Sequence, residues 1–423
     1  MASFKFLHAA DLHLDCLLKG LEDYEGAPVE RIRNATRAAF ENLVTLAIRE
    51  RVHFVVIAGD LFDRRWTDIQ TGLWTAHQFR LLEREGIPVY LLRGNHDAYS
   101  EVPQRMSWPA NVFEFPVAAP ATLTLDDIHV ALHGQGFATR EVPEDLVPNY
   151  PEMKPGYFNI GVLHTSLTGD PRHDTYAPTS EESLVLTGYD YWALGHLHQH
   201  RIVREAPCII FPGCTQGRHI LETGPKGCVI VQVDSGHATP MFYATDTLRW
   251  TTAEVDVPPE ADLSDIYDAV DVELRHCREQ AEGRYLAVRV VVQGTTPCHH
   301  QLCSAHGSEE VIAEIRNLAN AHDDVWIEKV ILNTLPAVDL DQLREGDDLI
   351  GELLREIVLL QDGSDEELLQ LAEVLEPLAR KAAAELREAE IDLRDPDNIR
   401  NWLSQAESKV VSMLTVEDSS PAG

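Results

Sequence analysis

Five polar clusters, each directly after a short apolar run, dominate the first half of this chain. The apolar runs have the length of buried strands, and helical patterns lie between the first three of them. Strands that alternate with helices are typical of an α/β fold with a central sheet. Because ligands in open α/β sheets bind outside the carboxyl ends of the strands, we expect the clusters to converge on one edge.

The predicted strands cover residues 4–7, 54–58, 89–92, 160–163, 192–194 and 208–211. Apolar side chains at helical spacing predict helices around residues 40–48 and 73–82. The polar clusters are Asp11-Leu12-His13, Gly59-Asp60-Leu61-Phe62-Asp63, Gly94-Asn95-His96-Asp97, His164 and Gly195-His196-Leu197-His198.

The clusters supply two aspartates, one asparagine and four histidines as candidate metal ligands, namely Asp11, His13, Asp60, Asn95, His164, His196 and His198. A mixed set of oxygen and imidazole donors suits manganese or iron better than calcium. Two such ions about 3.5–4 Å apart can clamp the attacking and leaving oxygens of a phosphoryl displacement. Asp60, with Gly59 before it, is the carboxylate best placed to bridge them.

Histidine pairs also arise by chance in a chain with 19 histidines. A single Asp-x-His or His-x-His would therefore leave the choice between a ligand and a surface residue open. Five clusters after five strands are much harder to obtain by chance, so the pattern favours a metal site.

The order Asp-x-His, Gly-Asp-x-x-Asp, Gly-Asn-His-Asp, His, Gly-His-x-His resembles the calcineurin-like metallophosphoesterase superfamily. The amino-acid sequences of these motifs, together with Phe-Pro-Gly-Cys-Thr-Gln at residues 211–216, resemble those of the SbcD-type DNA double-strand-break repair nucleases. The segment from His133 to Phe137 resembles the bacterial YhaO branch. The resemblance implies a two-sheet core flanked by helices, a DNA exo/endonuclease activity and an ATPase partner of the SbcC kind.

The resemblance also implies roles for single residues. One metal would be held by Asp11, His13, Asp60 and His198, and the other by Asp60, Asn95, His164 and His196. His96 would act on the transition state or the leaving group, with Asp97 either orienting its ring or serving only as a turn residue. Manganese is the expected metal, with iron, magnesium and zinc as alternatives.

Some nucleases of this family carry a second catalytic histidine where this chain has Asp63, so the resemblance does not extend to that residue. Arg64 and Arg65 follow directly and are candidates for phosphate contacts, although an exposed loop explains them equally well. Arg93 and Arg218 flank the motifs and either contact phosphate or pair with carboxylates.

The chain has 35 basic and 69 acidic residues, which gives a formal net charge of −34. Because this charge repels phosphate polymers, DNA binding would need a local patch, bound metal or a partner. Seven scattered cysteines indicate no disulfide framework. No apolar run nears the roughly 20 residues of a spanning helix, so we expect a cytoplasmic protein with no membrane partner.

We predict four segments along the chain. Residues 1–250 form the metallophosphoesterase domain, residues 251–337 a small α+β capping domain, and residues 338–415 a helical segment with apolar side chains at helical spacing. Residues 416–423 form a disordered tail. The helical segment either docks a partner or packs on its own domain, and a homodimer is left open.

Three functions compete at this point. The first is a metal-dependent DNA nuclease that works with an ATPase. The second is a phosphatase or phosphodiesterase acting on nucleotides or phosphoproteins, favoured by the acidic charge and by Asp63. The third is a subunit whose metals only stabilise the fold.

Overall fold

The computed structural model describes residues 3–16, 29–63, 69–99, 107–167, 176–337, 340–382, 386 and 391–415. The strands are β1 (Phe4–Ala9), β2 (Phe54–Ala58), β3 (Val89–Leu92), β4 (Val112–Glu114), β5 (Ala121–Leu125), β6 (Val130–Gly134), β7 (Phe158–His164), β8 (Tyr191–Gly195), β9 (Arg201–Glu205), β10 (Cys208–Phe211), β11 (Gly227–Asp234), β12 (His237–Ala244), β13 (Leu248–Asp256), β14 (Tyr285–Thr296) and β15 (Val325–Pro336).

The helices in the described part of the chain are α1 (Val29–Arg49), α2 (Ile69–Arg84), α3 (Asn95–Tyr99), α4 (Glu181–Leu186), α5 (Leu263–Gln280), α6 (His299–Cys303), α7 (Ala305–Asn320), α8 (Leu340–Arg344), α9 (Leu349–Gln361), α10 (Asp365–Ala372), α11 (Glu376–Lys381) and α12 (Pro396–Thr415). Short 3-10 turns lie at Val147–Asn149 and Glu373–Leu375. None of these helices is long and apolar enough to cross a membrane.

Two six-stranded sheets form the core of the first compact unit, which comprises Met1–Thr251 and Ala281–Ala287. The strand orders are β12-β11-β1-β2-β3-β4 and β5-β6-β7-β8-β10-β9. In the first sheet β1, β2, β3 and β4 are parallel, and in the second β6, β7, β8 and β10 are parallel. The predicted α/β class and its two-sheet core are confirmed.

Side chains alternate between two apolar layers along the central strands. Phe54 and Val56 of β2 point into the layer between the sheets, whereas Val55 and Ile57 point toward α1 and α2. A strand covered on both faces is apolar at nearly every position, which is why the predicted runs were almost continuous. All six predicted strands and both predicted helices are confirmed.

The strands that the sequence analysis missed are mostly short or exposed on one face. In β5 and β9 the side chains are half-buried or exposed to solvent, so no apolar run marks these strands. The five residues of β6 are fully buried, but this strand includes His133 and Gly134, which interrupt the apolar pattern.

The second compact unit comprises Thr252–Gln280 and Val288–Gly423. It contains α5 to α12, and β13, β14 and β15 form a three-stranded sheet. Leu368, Ala372 and Ile399 form a small apolar cluster among its C-terminal helices. The predicted boundaries at 250 and 337 stay predictions, and the predicted tail lies outside the described residues.

Candidate metal centre

The loops after β1 and β2 run side by side at the edge of the first sheet. Asp11 N donates to Gly59 O at 3.0 Å, and His13 N donates to Asp60 O at 3.1 Å. Asp11, His13 and Asp60 all have positive φ, with values of 52°, 43° and 54°. Non-glycine residues adopt this conformation rarely and usually where function requires it. The local backbone therefore turns these three side chains toward one point.

Two glycines of the clusters leave room for the ligands. A Cβ on Gly59, whose φ is +101°, would overlap the ring of His164, and a Cβ on Gly94 would overlap the carboxylate of Asp60. The glycines of the motifs are therefore required by close approach.

Asp11, His13 and His198 form one cluster of potential ligands. The Nε2 atoms of His13 and His198 are 3.2 Å apart, and Asp11 Oδ1 lies 3.7 Å from His198 Nε2. Among the described residues, Asp11 Oδ1 has no hydrogen-bond partner although it is buried. A buried carboxylate oxygen without a donor is costly, and a cation at this point would satisfy it.

Asp60 and His164 form another cluster of potential ligands with Asp11, and Asn95 lies beside it. His164 Nδ1 donates to Ala58 O at 2.9 Å, which directs Nε2 to Asp60 Oδ2 at 3.4 Å and to Asn95 Oδ1 at 2.9 Å. Burial opposes charge on this ring, but the carboxylates of Asp60 and Asp11 raise the pKa of His164 to about 9. The pocket therefore stabilises positive charge, as a metal site must.

His196 lies beside this second group. Its backbone N donates to Asp11 Oδ2 at 2.9 Å, and its ring centroid is 5.3 Å from that of His164. The ring of Tyr176 lies 5.2 Å away on another side. All seven predicted ligands thus lie at one place, and the donor types and buried carboxylates fit two divalent ions.

His96 is held by Asp63 at the edge of the ligand cluster. Its Nδ1 lies 2.9 Å from Asp63 Oδ1, and its backbone N donates to Asp60 Oδ1 at 2.9 Å. The His96 side chain is 12% exposed, unlike the fully buried His13 whose ring it contacts. The Asp63 carboxylate therefore orients a ring that is partly accessible to solvent.

Asp97 has a different partner set from the one predicted. Its carboxylate accepts hydrogen bonds from the backbone N atoms of Leu61, Phe62 and Gly94, at 3.2, 3.0 and 3.1 Å. The hydrogen bonds of Asp97 are to backbone groups, so the prediction that Asp97 orients the His96 ring is not supported. The turn-residue alternative fits, because the carboxylate joins the loops after β2 and β3.

The arginines near the motifs pair with acidic side chains. Arg93 Nε donates to Glu114, and Arg218 Nη2 donates to Glu222 Oε1 at 2.9 Å. Of the two predicted alternatives, contact with phosphate or pairing with carboxylates, the structure shows pairing with carboxylates. Arg64 and Arg65 lie outside the described residues, so their predicted phosphate contacts stay a prediction.

Glu222 belongs to the site but was not found from the sequence. Its Oε1 lies 2.7 Å from His198 Nδ1, and burial opposes its charge, but Arg218 and His198 hold the pKa of its carboxyl well below its usual value. It lies outside every motif, in a segment with many charged residues. No spacing or periodicity marks it.

Comparison with known proteins agrees with this geometry. Residues 4–200 match the profile of the calcineurin-like phosphoesterases, and residues 250–335 match the middle domain of the metallophosphoesterase YhaO. The chain is 33% identical over 386 residues to the metallophosphoesterase YhaO of Bacillus subtilis, an alignment that covers 90% of this chain and 91% of that protein.

Relatives with lower sequence identity are named as DNA repair proteins. The chain is 27% identical over 356 residues to the DNA double-strand break repair protein Mre11 of Aeropyrum pernix, which covers 75% of this chain and 78% of that protein. It is 24% identical over 209 residues to Mre11 of Methanopyrus kandleri, which covers 46% of this chain and 44% of that protein.

A two-sheet α/β fold with clustered carboxylate, amide and imidazole ligands defines a metallophosphoesterase, a hydrolase with a dinuclear metal centre. This chain belongs to the YhaO family of the calcineurin-like metallophosphoesterases. The superfamily and the branch predicted from the motifs are confirmed.

Proposed function

We propose that this metallophosphoesterase is a DNA exo/endonuclease that hydrolyses phosphodiester bonds at a two-metal centre, with manganese as its preferred metal. The observation that carries the proposal is the convergence of the seven predicted ligands beside a solvent-accessible His96. The relatives named as DNA double-strand break repair proteins support DNA as the substrate.

We assign Asp11, His13, Asp60 and His198 to one metal, and Asp60, Asn95, His164 and His196 to the other. Two bound divalent ions would polarise the phosphate and lower the pKa of water at the site. The Nδ1 of His96 donates to Asp63, which leaves Nε2 to receive or give a proton. The Asp63 carboxylate fixes the orientation of the ring, so His96 is placed to protonate the leaving oxygen, which is worth roughly 10²–10⁴-fold in rate.

We also propose an ATPase of the SbcC kind as a partner. Several apolar side chains of the C-terminal helices are exposed, among them Leu349 at 63%, Leu359 at 65% and Val374 at 76%. Such a surface is typical of a helix that binds another protein. A partner would also bring DNA to a chain with a net charge of −34. A homodimer through the same helices is the competing arrangement.

The seven cysteines are free thiols, which supports the proposed cytoplasmic setting.

A second candidate function, a phosphatase or phosphodiesterase acting on nucleotides or phosphoproteins, is favoured by one observation. The partner of His96 is Asp63 and not a second histidine, so this position supplies a carboxylate in place of a second catalytic imidazole.

The test is a nuclease assay on a panel of single- and double-stranded DNA ends, with manganese, magnesium or zinc and with or without the ATPase. We expect the wild type to cut DNA best with manganese and His96→Ala to lose most of this activity while still binding metal. Hydrolysis of small phosphodiesters or nucleotides with no DNA cleavage would support the second candidate. Full retention of cellular activity by Asp60→Asn would show that the metals serve only the fold.

A further inference from the structure

A buried ion pair lies directly behind His198, on the side of the ring that faces away from the other ligands. Glu222 Oε1 is 2.7 Å from His198 Nδ1, and the Glu222 side chain is 7% exposed. Arg218 binds the same carboxylate through its backbone N, at 2.7 Å from Oε2, and through Nη2, at 2.9 Å from Oε1. Both oxygens of Glu222 are therefore fixed.

The contact between Glu222 and His198 determines which ring nitrogen carries the proton. A carboxylate oxygen and an unprotonated ring nitrogen are both acceptors, so a separation of 2.7 Å requires a proton between them. Arg218 Nη2 lies 2.9 Å from Nδ1 and also 2.9 Å from Glu222 Oε1, and the charged carboxylate is the stronger acceptor for its protons. The proton is thus on Nδ1, and the lone pair of Nε2 points to Asp11 and His13.

His198 is more exposed than two of the other ligand histidines. Its side chain is 27% exposed, whereas those of His13 and His164 are fully buried. The ring of His164 is held by a neutral backbone group, the carbonyl of Ala58. An exposed ring without an anchor would populate both tautomers and several rotamers, and a carboxylate anchor also makes the imidazole a stronger donor.

We propose that Glu222, held by Arg218, is a positioning residue that fixes the tautomer and orientation of His198 and thereby sets the affinity of one of the two metal sites. This inference rests on the proposed assignment of His198 as a metal ligand. Since His198 belongs to the group of Asp11 and His13, the effect should be confined to that site, and the site of Asn95 and His164 should be unaffected.

The experiment is titration of the metal-free full-length protein with Mn²⁺ by isothermal calorimetry. The variants are Glu222→Ala, Glu222→Gln and His198→Ala. Glu328→Gln is the matched control, because Glu328 is an arginine-paired and largely buried glutamate that binds Arg289. We expect Glu222→Ala to weaken one binding step roughly 10–100-fold and leave the other unchanged. Glu222→Gln should have a smaller effect, since an amide oxygen can still accept from Nδ1.

A spectroscopic measurement separates positioning from general destabilisation. The ¹⁵N chemical shifts of the His198 ring report its tautomer, and we expect one Nδ1–H form in the wild type and in Glu328→Gln, but a mixture in Glu222→Gln. Circular dichroism verifies folding, and Glu222→Gln keeps the side-chain shape if Glu222→Ala does not fold.

The outcomes distinguish two failures. If His198→Ala abolishes one binding step whereas both Glu222 variants bind Mn²⁺ like the wild type, the metal centre stands and the role of Glu222 is wrong. If His198→Ala leaves both steps unchanged, His198 is not a ligand, and the assignment on which the inference rests fails as well.

Discussion

At the scale of single residues, the pairing of His96 with Asp63 distinguishes this site. The two side chains are 2.9 Å apart and both are partly exposed, at 12% and 29%. Asp63 stands where some nucleases of the family carry a histidine, and its carboxylate contacts Nδ1 of the neighbouring His96 ring and orients it. A carboxylate in this role acts through His96 and need not contact the substrate.

We predict that Asp63→Asn lowers kcat about 10-fold or more, because the amide holds the His96 ring in one orientation less well than a carboxylate does. The double variant Asp63→Asn/His96→Ala should be no slower than His96→Ala. Steady-state kinetics on a small phosphodiester at saturating Mn²⁺ measures both effects. Additive losses in the double variant would show that Asp63 acts independently of His96.

At the scale of elements, the ends of adjacent strands create the site. The loops after β1 and β2 continue the parallel pairing beyond the sheet, as the bridge between Leu14 and Phe62 shows. The ring of His164 at the end of β7 fits against Gly59 at the end of β2. The two sheets are therefore joined at the point where the ligands meet.

We predict that Gly59→Ala abolishes metal binding at the site of His164, because the added methyl group would displace that ring. Gly156→Ala is the matched control. Gly156 also has positive φ, at +81°, but no atom lies near its missing Cβ, so this variant should lose only about 1 kcal/mol of stability. Calorimetric titration with Mn²⁺ measures both. Equal metal affinity in the two variants would contradict the close-approach argument.

A second contact between the sheets predicts how stability depends on pH. His8 of β1 is buried, with Nδ1 3.0 Å from Tyr191 Oη and Nε2 3.0 Å from Leu194 O, both on β8. Burial lowers the pKa of His8 to about 3, below the ordinary value of about 6.5. The unfolded chain therefore takes up this proton first as the pH falls.

The contribution of His8 to stability is complete above pH of about 6.5 and is lost as the pH falls from there toward 3, with a slope of up to about 1.4 kcal/mol per pH unit. Replacing the ring by a side chain that does not titrate should reduce this slope. We expect urea unfolding of the metal-free His8→Gln variant to show it, compared with the metal-free wild type. Parallel pH profiles of the two proteins would refute the assignment.

At the scale of the whole molecule, charge opposes the proposed substrate. The net charge of −34 acts over a Debye length of about 10 Å at 0.1 M salt, so repulsion of DNA is strongest at low ionic strength. A protein that binds DNA through a basic surface behaves in the opposite way, because salt weakens its binding.

We predict that, without the ATPase, the KM for duplex DNA falls as NaCl rises from 20 to about 100 mM, because salt screens the repulsion. The KM for a small singly charged phosphodiester should change little and is the control. A KM for DNA that rises steeply with salt would reveal a local basic patch and would direct attention to Arg64 and Arg65.

The sequence by itself predicted most strands of the core and the candidate metal ligands. Strands that are buried on both faces of a sheet are apolar at most positions, and such runs can be recognised without a structure. The ligands follow these runs directly. The sequence therefore predicted that Asp11, Asp60, Asn95 and the later ligands lie at one sheet edge. Local sequence fixed these features because each ligand lies only a few residues from the end of the apolar strand that positions it.

Only the tertiary structure decided which side chains support the ligands. Asp63 and not Asp97 binds the His96 ring, although Asp97 is the nearer in sequence. Glu222 reaches His198 across 24 positions of the chain, and Ala58 reaches His164 across 106. Such contacts depend on how separate strand ends meet in space, and no periodicity or spacing in the sequence encodes that distance.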